Sequence, residues 1–196
     1  MKIKLKLHGY DLNKVGGGGG LLSVFSKIDN NNNALQQSKV KEITDSLTGL
    51  KNRRGLEQAF SENINNKKKV HLAIIDIDNF KGVNDNYGHT FGDSVLAYLG
   101  KTGIDICNEN TDVFRYGGEE FVVLFIDNTT TECMDTMNKW LMRVSRRRWR
   151  EQNLTVTFSG GLVERKDEDL SSLIEKADSA LYQAKNMGKN RIIKHS

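Results

Sequence analysis

The sequence predicts an α/β (α+β) protein with a mainly antiparallel central sheet that is flanked by helices. The first observation is a pair of strand-like runs, residues 112–116 and 121–126, separated by a segment that contains Gly117 and Gly118. Two adjacent glycines between such runs predict a β-hairpin. The second observation is an apolar run at residues 70–77, which has the length of a buried strand. The third is that segments with apolar residues at helical spacing lie between and after these strands, so helices and strands alternate along one domain.

The first 33 residues form a separate N-terminal segment. Within residues 1–15, positions 2–7 alternate Lys with Ile or Leu, which suggests a short strand. The glycines at 16–20 predict a flexible linker, and the asparagines at 30–33 form a second low-complexity stretch. A stalk helix is predicted over residues 34–48, because its apolar side chains fall near helical spacing: Leu35, Val40, Ile43 and Leu47. Such a helix either packs on its own domain or pairs two copies of the chain, and the sequence leaves both readings open.

The remaining elements follow from the periodicity of apolar residues. Besides the hairpin, strands are predicted at residues 70–77, 154–159 and 192–193. Helices are predicted at residues 53–63, 92–106, 131–147 and 170–185. The last helix is the most regular, with apolar residues at a spacing of three to four: Leu170, Leu173, Ile174, Ala177, Leu181 and Ala184.

Composition narrows the class of protein. At 196 residues the chain is long enough for one domain with a real core and a tail. The formal net charge of +4 suits an anionic ligand and does not require nucleic acid. Cys107 and Cys133 lack the spacing of a metal site, which is typical of reduced thiols. No apolar run approaches the roughly 20 residues of a membrane span, and the N-terminus does not resemble a signal peptide. We therefore expect a cytoplasmic protein.

Acidic side chains occur at two places where strands end. Glu119 and Glu120 follow the two glycines of the hairpin, where carboxylates can hold a cation such as Mg²⁺ and where glycine lets a bulky ligand approach the backbone. Asp76 and Asp78 stand at the end of the apolar run, and charges against a buried strand need partners. A cation shared between Asp76 and Glu119 would be such a partner. The ordinary alternative is a plain hairpin with a polar tip and a charged strand end.

Together these segments resemble the GGDEF domain of diguanylate cyclases, in its GGEEF form. The resemblance covers residues 44–193, and we place the domain at 44–196. It is carried, in the order that the family has them, by DSLTGLKNRR at 45–54, DIDNFK at 76–81, Asn84-Asp85, Gly88-His89, Gly92-Asp93, RYGGEEF at 115–121, TFSGG at 157–161, ADSALYQAK at 177–185 and GKNR at 188–191. It implies a palm-like βαββαβ nucleotidyl cyclase core, and the condensation of two GTP molecules into cyclic di-GMP with loss of two pyrophosphates.

The resemblance also implies which residues do the chemistry. Asp76, Glu119 and the Ile77 carbonyl are implied metal ligands, and Glu120 is implied as a second-metal ligand or proton acceptor. Two Mg²⁺ or Mn²⁺ ions per half-site would neutralise the triphosphate and polarise the attacking hydroxyl. Because each domain supplies one half-site, the implied working form is a homodimer.

Substrate contacts are implied in the same way. Asn84 and Asp93 are similar to the family's guanine-binding residues, and a carboxylate accepts the paired N–H groups of guanine. The structural alternative for Asp93 is a helix N-cap. The amides around Phe80 and Lys81 would cradle the β- and γ-phosphates, with Lys185 and Lys189 as cationic contacts. The alternative for the two lysines is solvent exposure at a helix end.

Two features depart from this picture or add to it. The RxxD product-inhibition motif of many relatives would fall at residues 108–111, which read Asn-Glu-Asn-Thr, so we expect no such inhibitory site. The basic run at 143–150 is expected to be a solvated helix end, and nucleic acid is not expected as a partner. Against an active cyclase stands the alternative of a catalytically weak GGDEF module that binds GTP or cyclic di-GMP as an effector, or that serves as a dimerisation scaffold.

Overall fold

The computed structural model describes residues 6–7, 10–11, 40, 42–106, 108, 110–149 and 154–195. The chain divides into two compact units, Met1–Glu42 and Ile43–Ser196. In the first unit two short antiparallel strands are described, β1 (Lys6–Leu7) and β2 (Tyr10–Asp11). The predicted linkers at 16–20 and 30–33 lie outside the described residues.

The second unit is built on a six-stranded sheet. Its strands are β3 (Lys51–Asn52), β4 (Val70–Ile77), β5 (Thr111–Arg115), β6 (Glu120–Ile126), β7 (Phe158–Glu164) and β8 (Ile192–Lys194). They lie in the order β3-β5-β6-β4-β7-β8. The three central pairings are antiparallel, whereas β3 pairs with β5, and β7 with β8, in parallel. The predicted mainly antiparallel sheet is confirmed.

Five helices of this unit are described. They are α1 (Arg53–Asn65), α2 (Phe80–Tyr87), α3 (His89–Ile106), α4 (Thr130–Ser145) and α5 (Leu170–Asn186). No helix in the described part of the chain is both long and apolar enough to cross a membrane.

Strands β4 and β6 lie at the centre of the sheet and are buried on both faces, which explains their continuous apolar sequences. Side chains alternate between the two faces of a strand, so they contribute to two apolar layers. One layer joins β4 and β6 to α3 and α4 and includes Ile75, Val123, Leu99 and Trp140. The other joins them to α1 and α5 and includes Leu72, Val122, Leu56 and Leu181.

The stalk helix does not extend to Leu47. Residues 40 and 42 are helical and residues 34–39 lie outside the description, but a turn begins at Ile43. Asp45 Oδ1 accepts hydrogen bonds from Thr48 N at 2.8 Å and Thr48 Oγ1 at 2.7 Å, and Gly49 has a left-handed φ of +72°. This capped turn replaces the last predicted helical turn, and Leu47 packs against the core instead.

Three further differences from the sequence prediction bear on the site. Helix α2 was not predicted, because Asn, Asp and Gly dominate a segment of only eight residues. Helix α3 begins at His89, so Asp93 lies inside the helix and is not its N-cap. Strand β7 begins at Phe158 and continues through Gly160 and Gly161, whereas the prediction ended this strand at residue 159.

The basic run is only partly solvated. Helix α4 ends at Ser145, and the guanidinium of Arg147 lies 4.0 Å from the ring centre of Tyr98 and 4.4 Å from that of Trp149. Trp149 itself packs against the core. Arg143 Nη2 contacts Asp105 Oδ2 at 3.1 Å. Aromatic and acidic partners from α3 therefore hold two of these arginines.

Gly161 explains why β7 continues through two glycines. A Cβ atom at this position would lie 2.0 Å from the Ala177 carbonyl oxygen and 2.5 Å from the Leu181 amide nitrogen, both in the backbone of α5. Backbone atoms cannot move aside as a flexible side chain does. The missing side chain therefore lets α5 pack directly on the sheet.

We predict that Gly161→Ala lowers the free energy of unfolding by about 3 kcal/mol, because the added methyl overpacks the α5–β7 contact. Urea unfolding followed by circular dichroism measures it. Gly82→Ala is the matched control: Gly82 lies in α2 with nothing within 4 Å of the added Cβ, so the substitution should stabilise the protein by about 0.5–1 kcal/mol. Equal effects of the two substitutions would contradict this account of Gly161.

Candidate active site

The sheet brings the two predicted acidic segments together. In the antiparallel pairing of β4 with β6, Asp76 lies opposite Glu120. The Ile77 amide nitrogen is 3.4 Å from the Glu119 carbonyl oxygen. Asp76 and the pair Glu119 and Glu120, more than 40 positions later in the sequence, thus form one acidic edge. The side chains of directly opposed residues project from the same face of the sheet.

The hairpin tip is held in place by Arg115. Its Nη1 donates to Asp45 Oδ1 at 3.0 Å and to Oδ2 at 3.1 Å, while Nη2 donates to the Gly118 carbonyl oxygen at 2.9 Å. Burial raises the pKa of Asp45, but hydrogen bonds from Thr48 and Arg115 outweigh it and hold that pKa below its usual range. This role of Arg115 was not predicted from the sequence. The available signal was an arginine two residues before the glycines together with Asp45 in an upstream turn, a pair that can form a salt bridge.

Lys185 provides the cation nearest to Asp76. It lies in the last turn of α5, and its Nζ is 2.9 Å from Asp76 Oδ1. The side chain of Asp76 is 14% exposed and that of Lys185 is 35% exposed. The predicted phosphate contact and the predicted metal ligand are therefore neighbours in this structure.

The acidic edge carries more negative charge than Lys185 balances. Burial raises the pKa of Glu119, and the charge of Asp76 raises it further. Burial likewise raises the pKa of Glu120, with added repulsion from Asp76, Asp178 and Glu119, whereas Lys185 opposes both shifts. Such a cluster favours an additional cation.

The donor set fits a divalent ion that is bound jointly by protein and ligand. Among the described residues, no three Asp, Glu, His or Cys side chains are arranged to hold a metal ion. Mg²⁺ commonly takes one or two carboxylates and completes its shell with water and substrate phosphates. Asp76, Glu119 and the Ile77 carbonyl match that pattern, so a dedicated cage of protein ligands is not needed.

A second group of predicted residues surrounds the N-terminus of α2. Asn79 precedes the helix in a left-handed conformation, with a φ of +56°, and Phe80 and Lys81 are its first residues. The first amides of a helix have no partner within it and attract anions. Lys189 Nζ donates a hydrogen bond to Asn79 Oδ1, which places this cation beside those amides.

The two predicted base-binding residues come from adjacent helices. Asn84 lies in α2 and Asp93 in α3. A Cβ atom on Gly92 would lie 2.0 Å from Asn84 Oδ1 and 3.2 Å from Phe80 Cζ. The amide of Asn84 therefore occupies the space that a side chain at Gly92 would fill, directly beside Asp93.

Asp78 does not belong to the acidic edge. It is only 7% exposed and accepts hydrogen bonds from Thr157 Oγ1, Ser159 Oγ and the Asn190 amide. Neutral donors, not a shared cation, compensate its charge.

At the positions of the family's inhibitory motif, the structure has a local turn. Asn108 Oδ1 accepts from the Asn110 amide at 3.0 Å and from Thr111 Oγ1 at 2.9 Å. Asp112, one residue later, pairs with Lys51 at 3.3 Å. The side chains described at these positions are neutral, and those of Asn108 and Thr111 are hydrogen-bonded to each other.

Comparison with known proteins identifies the family. The family model "Diguanylate cyclase, GGDEF domain" matches residues 42–191, so the chain belongs to the GGDEF domain family. Diguanylate cyclase VdcA of Vibrio cholerae is 36% identical over 166 residues, covering 81% of this chain and 49% of that protein. Diguanylate cyclase A of Treponema denticola is 34% identical over 173 residues, covering 81% of this chain and 46% of that protein. The chain thus spans about half the length of these relatives.

Solved structures agree with this assignment. The coiled coil and GGDEF domain of DgcB from Caulobacter crescentus, in complex with c-di-GMP, superposes with a TM-score of 0.79 at 32% identity, covering 89% of this chain and 96% of that one. The active GGEEF domain of a diguanylate cyclase from Vibrio cholerae superposes with a TM-score of 0.69 at 30% identity, covering 74% of this chain and 97% of that one.

The electrostatics of the edge predict the effect of Glu120→Gln on stability. The folded protein raises the pKa of Glu120, so ionised Glu120 destabilises the fold once the pH exceeds the ordinary glutamate pKa. In metal-free buffer at about pH 7, Glu120→Gln should therefore raise the urea midpoint. At about pH 3.5, where glutamate is largely protonated in both states, the difference should largely vanish.

Glu132→Gln is the control, because it should change the urea midpoint in the opposite direction. Hydrogen bonds from the Thr129 amide and hydroxyl lower the pKa of Glu132 in a capping box. Its charge therefore stabilises the fold above the ordinary glutamate pKa, and Glu132→Gln should lower the urea midpoint at about pH 7. A Glu120→Gln midpoint at or below that of the wild type at neutral pH would contradict the excess negative charge of the acidic edge.

Proposed function

We propose that this chain, with its GGEEF motif, is a diguanylate cyclase that condenses two GTP molecules into cyclic di-GMP and two pyrophosphates. The observation that carries the proposal is the pairing of Asp76 with the Glu119–Glu120 tip, in a family whose curated relatives are named diguanylate cyclases. The reaction is an in-line attack of a ribose 3′-hydroxyl on an α-phosphate, so it requires alignment and charge neutralisation above all.

In this proposal the acidic edge binds two Mg²⁺ or Mn²⁺ ions per half-site. Asp76, the Ile77 carbonyl and Glu119 hold metal, and Glu120 is a second metal ligand or accepts the proton of the attacking hydroxyl. Metal held there would neutralise the triphosphate and polarise the hydroxyl. The support is that burial and then repulsion from neighbouring carboxylates raise the pKa of both glutamates, and that Lys185 opposes this shift only in part.

The phosphates and the base are assigned to the region around α2. The amides of Phe80 and Lys81 bind the β- and γ-phosphates, and Lys185 and Lys189 add positive charge. A lysine at 189 supplies a point charge without the bidentate geometry of arginine. The guanine N1–H and N2–H groups are donors, and they meet the acceptor oxygens of two further side chains, Asn84 and Asp93.

Two such chains must meet for the reaction to occur. The part of the chain that the structure describes presents one Asn84–Asp93 pair and one acidic edge, which serve one GTP. Since the product contains two guanylates, we infer a homodimer in which two half-sites face each other. Its working compartment in this proposal is the cytoplasm, where GTP is available, and no nucleic acid partner is required.

The decisive experiment is incubation of the purified protein with GTP and Mg²⁺, followed by chromatography of the nucleotides. Cyclic di-GMP should form from GTP, whereas ATP should yield no cyclic dinucleotide. Asp76→Ala and Glu119→Ala should each lower the rate at least about 100-fold, because each removes a group that stabilises the transition-state charge. Circular dichroism should show that both variants remain folded.

Asp112→Ala is the matched control, since this exposed carboxylate lies on the same hairpin but pairs only with Lys51 among the contacts described. It should retain the wild-type rate. Near-wild-type turnover in Asp76→Ala or Glu119→Ala would refute the metal assignment. Tight GTP binding without any product would instead favour the effector or scaffold alternative.

A separate prediction concerns Gly92. Gly92→Ala places a methyl group where Asn84 Oδ1 now lies, so it should displace the Asn84 amide and weaken GTP binding about tenfold, the effect of losing one or two hydrogen bonds. Calorimetry with a non-hydrolysable GTP analogue measures it. If displacement is the cause, Gly92→Ala should add little to Asn84→Ala in the double variant. Additive losses would contradict the proposed link between the two residues.

A further inference from the structure

Asp78 connects three segments that are distant in sequence. It follows strand β4 by one residue and is almost fully buried. Its Oδ1 accepts from Ser159 Oγ at 2.7 Å, and its Oδ2 accepts from Thr157 Oγ1 at 2.7 Å and from the Asn190 backbone N–H at 3.1 Å. A buried carboxylate is stable only with several such donors, so each oxygen is committed to a partner.

The segment that contains Asn190 has an unusual backbone. Gly188, Lys189 and Asn190 have φ values of +107°, +62° and +49°, so three consecutive residues lie in the left-handed half of conformational space. For Lys189 and Asn190 this conformation costs free energy and must be imposed by surrounding contacts. The hydrogen bond from the Asn190 amide to Asp78 is a contact of this kind.

Asn79, the residue next to Asp78, binds the side chain of Lys189 in the segment 188–190. Asn79 is itself left-handed, at a φ of +56°, and its Oδ1 accepts a hydrogen bond from Lys189 Nζ. Asp78 therefore contacts the backbone of the loop formed by residues 188–190, while Asn79 contacts the ammonium group of Lys189. Because α2 begins at the next residue, Phe80, the same short segment also sets the position of the first helix amides.

We propose that Asp78 is a positioning residue for nucleotide binding: through the Asn190 amide it holds residues 188–190 so that Lys189 meets the substrate phosphates beside the N-terminus of α2. This inference rests on the proposed function, because it takes the phosphates of GTP as the ligand of Lys189. The competing account is that Asp78 only stabilises the junction between β4 and β7. The two accounts differ in whether Asp78 and Lys189 act together.

Asp78→Asn is a sharp probe because it preserves the shape of the side chain. An asparagine has one acceptor oxygen and an N–H₂ group in place of the second. The two hydroxyls can accept as well as donate, but the Asn190 backbone N–H can only donate, so it either faces the N–H₂ group and loses its bond or keeps a bond to a neutral amide oxygen in place of a charged carboxylate. In both orientations the bond between residue 78 and the Asn190 amide is lost or weakened, whereas the loop's other contacts, from the Lys189 amide to the Ala184 carbonyl and from Arg191 Nε to the Lys189 carbonyl, are unchanged.

The test is a double-mutant cycle measured by calorimetry with a non-hydrolysable GTP analogue and Mg²⁺. Asp78→Asn and Lys189→Ala should each weaken binding about tenfold, as for one charge-assisted hydrogen bond. The affinity of the double variant should equal that of whichever single variant has the lower affinity. The reason is that Lys189 contributes to binding only when Asp78 holds it in place. Multiplied losses in the double variant would overturn the inference in favour of a purely structural role.

Ser159→Ala is the matched control. It removes the donor to Oδ1 but leaves the contact between Oδ2 and Asn190 intact. It also perturbs the β4–β7 junction, so a purely structural role of Asp78 predicts a loss of affinity here too. Our inference predicts affinity within about twofold of wild type. A loss as large as that of Asp78→Asn would overturn it.

A measurement on the unmodified protein covers the case in which Asp78→Asn does not fold. Amide hydrogen exchange should be at least about 100-fold slower at Asn190 than in an unfolded peptide, although this residue lies in a loop. Unprotected exchange at Asn190 would overturn the inference.

The outcomes also separate this inference from the proposed function. A wild-type protein that binds the analogue but makes no cyclic di-GMP would refute the cyclase, while the cycle would still decide the role of Asp78. Unchanged affinity in Lys189→Ala, or no binding by the wild type, would overturn the inference itself.

Discussion

The antiparallel pairing of β4 with β6 is the constraint on which the rest of the site depends. It places Asp76 opposite Glu120 at the edge of an otherwise apolar sheet. Burial, together with repulsion from Asp76 and its acidic neighbours, raises the pKa of Glu120, and Lys185 offsets this shift only in part. A site with surplus negative charge is suited to cations that arrive with a polyanionic substrate, since metal and phosphates then neutralise each other.

Close backbone packing carries the cationic side of the site to that edge. Gly161 lets α5 lie directly on β7, with no room for a Cβ between them, and the last turn of this helix delivers Lys185 to Asp76. Beyond the helix, the left-handed residues around Lys189 are held by Asp78 and Asn79. The close packing of α5 on β7 thus places the last turn of α5, and the segment after it, beside the end of β4.

Sequence motifs and apolar periodicity were enough to predict the family, the sheet type and most helices. Long apolar runs and a Gly-Gly hairpin are signals that can be read locally in the sequence. They failed where tertiary contacts override local preference. Helix α2 is short and rich in turn-forming residues. The glycines of β7 read as a strand end but are a packing surface. The turn at Asp45 ends the helical pattern through side-chain hydrogen bonds that apolar spacing does not reveal.

The sequence by itself determined the candidate chemistry, since the identity of the carboxylates, amides and lysines is written in the motifs. The family resemblance singled out Asp76 as a metal ligand, but local residue chemistry gave Asp78, an identical side chain two residues later, no defined surroundings. Only the tertiary structure decided that Asp76 lies beside Lys185 and opposite Glu120. Asp78 is instead enclosed by the hydroxyls of Thr157 and Ser159 and the amide of Asn190. The physical reason is that a carboxylate's role depends on which donors and charges surround it, and those come from β6, β7 and the segment after α5, far away in sequence.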